Sequence, residues 1–236
     1  MSYGPDQILE GEGNSDYERY IRTSELLRLQ KGPEEWVHRD ELLFTVVHQT
    51  SELWLKLATS EISKSLEYLA ANNPKMALRL FPRILLCIEY CHGPLDMLEQ
   101  MSPWDYQQVR RALGHGSGFD SPGFNSVRKV IPGLWDEFTR LLEAEGLTLL
   151  ELFLNHEEHD ELYRLAEGLL EIDERMYLWR TRHFKVVERS IGAKVSGTQG
   201  TPVEVLGRLN SFLFFPELWE IRTTITNYAI SQEGEN

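Results

Sequence analysis

Cysteine is scarce: the 236 residues hold two, Cys87 and Cys91, too few for the disulfide framework of a small secreted domain. Set four apart in a stretch with helical patterning, they read as free thiols in a reducing cytosol. Long apolar runs are missing as well. Stretches such as Leu42–Phe44 and Ile84–Ile88 fall far short of the roughly 20 residues that a bilayer crossing needs. Basic residues are few, 24 Lys+Arg against 37 Asp+Glu, for a formal charge of −13. That balance repels phosphate backbones and anionic lipid, so neither nucleic acid nor a membrane surface is an expected partner. The start, Met1-Ser2-Tyr3-Gly4-Pro5-Asp6, has neither the basic nor the apolar stretch of a secretion signal, which predicts a cytoplasmic protein.

What is present suffices for one core: 42% of residues are hydrophobic and 11% aromatic. Leu43, Val47, Thr50, Trp54 and Leu57 recur at helical spacing and predict a long helix from about Asp40. Asn73-Pro74 and Ser102-Pro103 read as cap-plus-proline helix starts, Pro82 as a kink, and Gly93-Pro94 as an interruption. The segment Gly114–Gly123 carries four glycines and predicts a loop that can approach a ligand closely. Helical patterning resumes near Pro132 and again from about Asn155. There Ile172, Met176, Trp179, His183 and Val186 form a second stripe, closed by Gly192. A second small-residue loop, Ser196–Pro202, leads into a helix from Pro202 and a last one from Pro216. Strand alternation, tandem repeats and composition breaks are not found. The chain thus reads as all-α, a single-domain helical bundle over 1–236 with loose tails at about 1–15 and 231–236.

Seven histidines invite a search for metal chemistry. Taken singly, His48 and His183 are most simply core or boundary histidines with a hydrogen-bond partner. Glu35-x-x-His38 and Glu89-x-x-His92 have the spacing of a di-iron bundle ligand pair, yet both abut a Gly-Pro and so lie at helix ends. His156-Glu157-Glu158-His159 has acidic flanks typical of a solvated face. No Cys-x-x-Cys-His offers covalent haem attachment. Gly116-Ser117-Gly118 lacks the second intervening residue of a hydrolase elbow, and Gly114, Gly116 and Gly118 lack the strand and helix of a dinucleotide fingerprint.

The run Asp40-Glu41-Leu42-Leu43-Phe44-Thr45-Val46-Val47-His48-Gln49-Thr50-Ser51-Glu52-Leu53-Trp54-Leu55-Lys56 resembles the signature helix of the tryptophan 2,3-dioxygenase family. Further blocks agree in order: Tyr17 and Tyr20; Tyr106 with Arg110; Gly114 to Phe119; Leu178 to His183; Phe214 to Leu218 with Arg222-Thr223. The resemblance implies a helical oxygenase with non-covalent haem b, usually a homotetramer, acting with dioxygen on the indole of a tryptophan-like amino acid. It makes His183 the iron ligand, with Trp179 and Arg182 toward the haem. His48 becomes the distal-side histidine that meets the indole nitrogen, and Phe44 packs on the indole. Arg110 becomes the carboxylate clamp, while Tyr106, Ser117, Gly118 and Thr198 line the substrate. Tyr17 and Tyr20 match residues that a neighbouring subunit inserts. Physically, an apolar helix face with a neutral imidazole suits haem iron, Arg180 and Arg182 beside it could meet propionates, and a planar guanidinium suits a carboxylate.

Two departures stand out. The chain is shorter than the family's usual length between Phe119 and Tyr177, and Asp120-Ser121-Pro122-Gly123-Phe124 replaces the family's Gln-Ser continuation. Ring-opening dioxygenation is the leading expectation. Insertion of one oxygen into a (methyl)tryptophan to give a 2-oxindole is the alternative, and a non-catalytic haem sensor or helical interaction protein is a third reading.

Overall fold

Proline and short polar caps punctuate the helices. The computed structural model describes residues 8–197, 199–203, 205, 207 and 211–233. In chain order its α-helices are α1 (Asp16–Ile21), α2 (Thr23–Leu27), α3 (Asp40–Ala70), α4 (Pro74–Leu78), α5 (Phe81–Glu89), α6 (Gly93–Leu98), α7 (Pro103–Ala112), α8 (Pro122–Ala144), α9 (Leu149–Leu154), α10 (Asp160–Ile191) and α11 (Pro216–Glu233). Among the described residues the only bridge-type pairing is an isolated one between Ser196 and Pro202, so the all-α expectation holds. No helix of the described residues is long and apolar enough to cross a membrane.

The Asn73 and Ser102 side chains cap α4 and α7 as expected, accepting from the N–H groups of Met76 and Asp105. Pro82 does not kink a continuous helix. It stands in the first turn of α5, after a break at Arg79 and Leu80. The reading near Pro132 also needs correction. Helix α8 starts ten residues earlier, where the Ser121 hydroxyl accepts from Phe124 N–H and Pro122 occupies the first turn. Pro132 lies inside it, at the loss of one hydrogen-bonded rung.

The bundle is built on α3, α8 and α10, with α5 wedged between α3 and α10. Of the Leu43–Leu57 stripe, Val47 is buried and Trp54 packs against the core, but the buried line of α3 continues through Leu55, Ala58, Ile62 and Leu69, rotated slightly from it. Leu57 is exposed instead. Facing it are Val127, Ile131, Leu134 and Phe138 of α8 and Leu165, Leu169, Ile172 and Met176 of α10. Each of these side chains stabilises the fold by about 1.5–3 kcal/mol through burial.

Where α10 crosses α5 there is no room for a side chain at Gly168. A Cβ there would sit 2.8 Å from Cε2 of Phe81 and closer still to Cδ2, and Phe81 is itself buried. Gly168→Ala is therefore expected to destabilise the fold by about 1–3 kcal/mol through overpacking, despite alanine's better helix propensity. Thermal denaturation followed by circular dichroism measures this; an unchanged or raised midpoint contradicts the close crossing.

Candidate functional site

Going up α3 from Leu55, the same face carries Ser51, His48 and Phe44 at alternating steps of three and four. The functional face of this helix is thus the outer end of its core face. His48 Nδ1 lies 2.7 Å from the carbonyl of Phe44 one turn earlier. A carbonyl only accepts, so Nδ1 carries the proton and neutral His48 keeps Nε2 as an acceptor. The Phe44 and His48 ring centroids are 4.0 Å apart, and Tyr106 of α7 stands 6.3 Å from Phe44. Burial lowers the His48 pKa from its usual value, against the Phe44 carbonyl and the Glu52 carboxylate, which both favour the charged form. The residue nevertheless keeps an exposed surface. The imidazole therefore forms one wall at the boundary between the packed end of α3 and solvent.

The second wall belongs to α10. Trp179 and His183, one turn apart, stack with centroids 4.9 Å apart and planes 10° from parallel. Trp179 is held in turn by Phe124 at 3.9 Å and by donating its indole N–H to the Cys91 carbonyl at 3.1 Å. Burial, with a smaller contribution from the charge of nearby His48, pushes the His183 pKa down to about 4. Among the described residues no hydrogen bond engages either of its ring nitrogens. A neutral imidazole, free of other partners and oriented by aromatic stacking, is the donor that a haem iron takes, and in that respect the residues fit the group.

The loops close the site from α7. Arg110 donates to the Ser196 carbonyl at 2.9 Å, which ties α7 to the second small-residue loop. The first loop is folded by a capping box: Phe119 N–H donates to the Ser117 hydroxyl and Ser117 N–H to Asp120. Gly118 passes close to the iron-ligand candidate, with a position for Cβ 4.0 Å from His183 Cε1. Burial raises the Tyr106 pKa, so its hydroxyl keeps its proton.

The structure thus brings Phe44, His48 and Tyr106 together, stacks Trp179 on His183 and passes Gly118 by His183, while Ser117 folds the loop beside Gly118 and Arg110 ties α7 to the loop at Ser196. Thr198 lies outside the described residues. Arg182 turns elsewhere, to Glu99 at 2.5 and 2.8 Å and to Asp96 at 2.9 Å. Arg180 donates to the Phe212 carbonyl and packs over the rings of Phe212 and Phe214. Tyr17 and Tyr20 are 70% and 77% exposed, both on α1, which buries no residue in a single chain. The two Glu-x-x-His motifs do not join into one ligand set: Glu89 lies 3.8 Å from His92 but pairs with Arg175 at 2.9 Å, and His38 faces Asp105 at 3.6 Å. Among the described residues no three metal-ligand side chains gather. Unforeseen were two carboxylates bonded across the fold, Glu52 and Asp173. The signal for Glu52 was its place one turn after His48, and for Asp173 a charge inside an apolar stripe.

Comparison with known proteins bears on the same blocks. The family model described as tryptophan 2,3-dioxygenase matches residues 5–133 and 138–225. Similar curated relatives, each called tryptophan 2,3-dioxygenase, come from Shewanella woodyi (30% identical, covering 88% of this chain and 89% of the relative) and Bradyrhizobium sp. strain ORS 278 (31%, 94% and 99%). A third, from Myxococcus xanthus, is 29% identical over 94% of each chain. The Bradyrhizobium alignment spans 280 positions against the 236 residues of this chain, so that relative carries residues with no counterpart here.

Proposed function

Since the chain belongs to the tryptophan 2,3-dioxygenase family, we propose that it is a cytoplasmic haem-dependent oxygenase that opens the indole ring of L-tryptophan between C2 and C3, giving an N-formylkynurenine-type product. When bound, non-covalent haem b supplies a ferrous iron at which dioxygen is taken up and activated. His183 holds it, and Trp179 keeps the imidazole from turning. The guanidinium of Arg182 is already engaged by Glu99 and Asp96, so Arg182 serves the cofactor by bracing α10 against α6.

The observation that carries this reading is the fixed tautomer of His48. With Nδ1 bound to the Phe44 carbonyl at 2.7 Å, Nε2 accepts the indole N–H and sets the height of the ring. Phe44, 4.0 Å from that imidazole, covers the indole face. Because burial lowers the His48 pKa, the acceptor is unprotonated at neutral pH. Arg110 uses one nitrogen on the Ser196 carbonyl and offers the rest of its fork to the amino acid's carboxylate. Tyr106, Ser117 and Gly118 enclose the polar end; Thr198, assigned there by the resemblance alone, lies outside the described residues. The exposed Tyr17 and Tyr20 reach the site of a neighbouring subunit in a homo-oligomer, a tetramer on the family pattern.

Ring opening places both atoms of dioxygen in the product and needs no outside reductant. Insertion of a single atom would need two electrons from elsewhere to carry the second atom to water. Anaerobically reduced holoprotein given L-tryptophan or, in a parallel reaction, methyltryptophan, with and without an added two-electron reductant, and then isotopically heavy dioxygen is expected to yield from L-tryptophan a ring-opened product carrying two labelled atoms. A closed-ring product with one labelled atom replaces this reading with oxindole formation; untouched tryptophan and methyltryptophan overturn both.

A further inference from the structure

Glu52 stands on α3 one turn beyond His48 and is half-buried. Its two oxygens are divided between the Ser121 hydroxyl, at 2.5 Å, and the backbone N–H of Gly123, at 2.8 Å. Ser121 caps α8 and Gly123 lies in its first turn, immediately after the loop that carries Ser117 and Gly118. The approach is as close as backbone allows. A Cβ on Gly123 would fall 2.5 Å from Glu52 Oε2 and 2.8 Å from Leu55 Cβ.

From this junction hydrogen bonds continue across both loops. Asn125 in α8 donates to the Phe119 carbonyl at 3.1 Å, and Asp120 accepts from Ser117 N–H at 3.0 Å and from the Gln199 side chain at 2.7 Å. Gln199 belongs to the same loop as Ser196, whose carbonyl binds Arg110. The line therefore begins one turn from the residue that meets the indole and ends at the residue that meets the carboxylate.

We propose that Glu52 is a positioning residue: by fastening the start of α8 to the His48 helix, it sets the distance between the indole end and the carboxylate end of the substrate site. This rests on the functional reading above. A carboxylate accepting two hydrogen bonds holds such a junction more firmly than a neutral contact does. Its loss lets the loop drift, which weakens substrate binding while the iron-ligand wall on α10 stays in place.

The test uses haem-loaded protein. Glu52→Ala is expected to raise KM for L-tryptophan about 10-fold, the size of one charge-assisted hydrogen bond, with haem content unchanged and kcat altered much less. Glu52→Gln, whose amide oxygen still accepts from Gly123 and whose nitrogen reaches Ser121, is expected to bring KM back to within about threefold of the parent. Unchanged KM in Glu52→Ala overturns the proposal. So does a Glu52→Gln variant as impaired as Glu52→Ala, because the site would then need the charge rather than the placement. If Glu52→Ala does not fold, Ser121→Ala takes its place, with a smaller rise in KM expected and an unchanged KM contradicting it. Amide hydrogen exchange over residues 117–123 separates this inference from the assigned activity. Should the parent not consume tryptophan, faster exchange in the alanine variant still supports the fastening, and unchanged exchange removes it.

Discussion

His183→Ala is expected to purify with less than about a tenth of the parent's haem and with its Soret band correspondingly reduced. The reasoning is geometric and chemical together. His183 is the one imidazole stacked on Trp179, its pKa is pushed down to about 4 by burial, and it enters no competing hydrogen bond among the described residues. Alanine leaves Trp179 in place and removes the imidazole stacked on it. His183→Gly with added imidazole is expected to recover part of the band, since the cavity left by the ring matches the small ligand. An unchanged ferrous spectrum in the alanine variant shows that another side chain binds the iron.

Asp173→Ala is expected to lower stability by about 3 kcal/mol, through buried donors left without an acceptor. Its carboxylate is completely buried. It accepts from Phe214 N–H at 3.0 Å, Phe215 N–H at 3.1 Å and the Trp219 indole N–H at 3.1 Å. One acid on α10 thereby satisfies the backbone just ahead of α11 and pins that helix by a side chain as well. For a chain of this length the loss corresponds to a fall in midpoint of about 6–12 °C. Asp173→Asn, which keeps an oxygen acceptor, is expected to lose less. Calorimetry decides, and an alanine variant melting with the parent would mean that water replaces the carboxylate at no cost.

These two residues show where sequence reading reaches its limit. Helix starts were legible wherever a capping side chain and a proline act within three residues, as at Asn73 and Ser102. The same chemistry at Ser121 was obscured by the glycines ahead of it. On α3 the expected stripe is right at Val47 and Trp54 and wrong at Leu57, because the helix is apolar on more than one side: Leu57 is exposed while Leu55 and Ala58 are buried. Periodicity alone does not choose between such stripes; the packing of α8 does. The histidines were identified by the blocks around them, since neither could be told from a core histidine on its own. Glu52 and Asp173 stayed hidden because their partners lie about 70 and 41 residues away, and no local pattern announces a bond of that reach.

The single turn between His48 and Glu52 also acts as a ruler. An α-helix advances about 1.5 Å and turns about 100° per residue, so one residue inserted between them would swing Glu52 away from Ser121 and Gly123 while His48 stayed where it is. A deletion would do the same in the opposite sense. Length can therefore change in this chain only where no side chain measures across it, and within this stretch of α3 the spacing is as much a part of the site as the residues themselves.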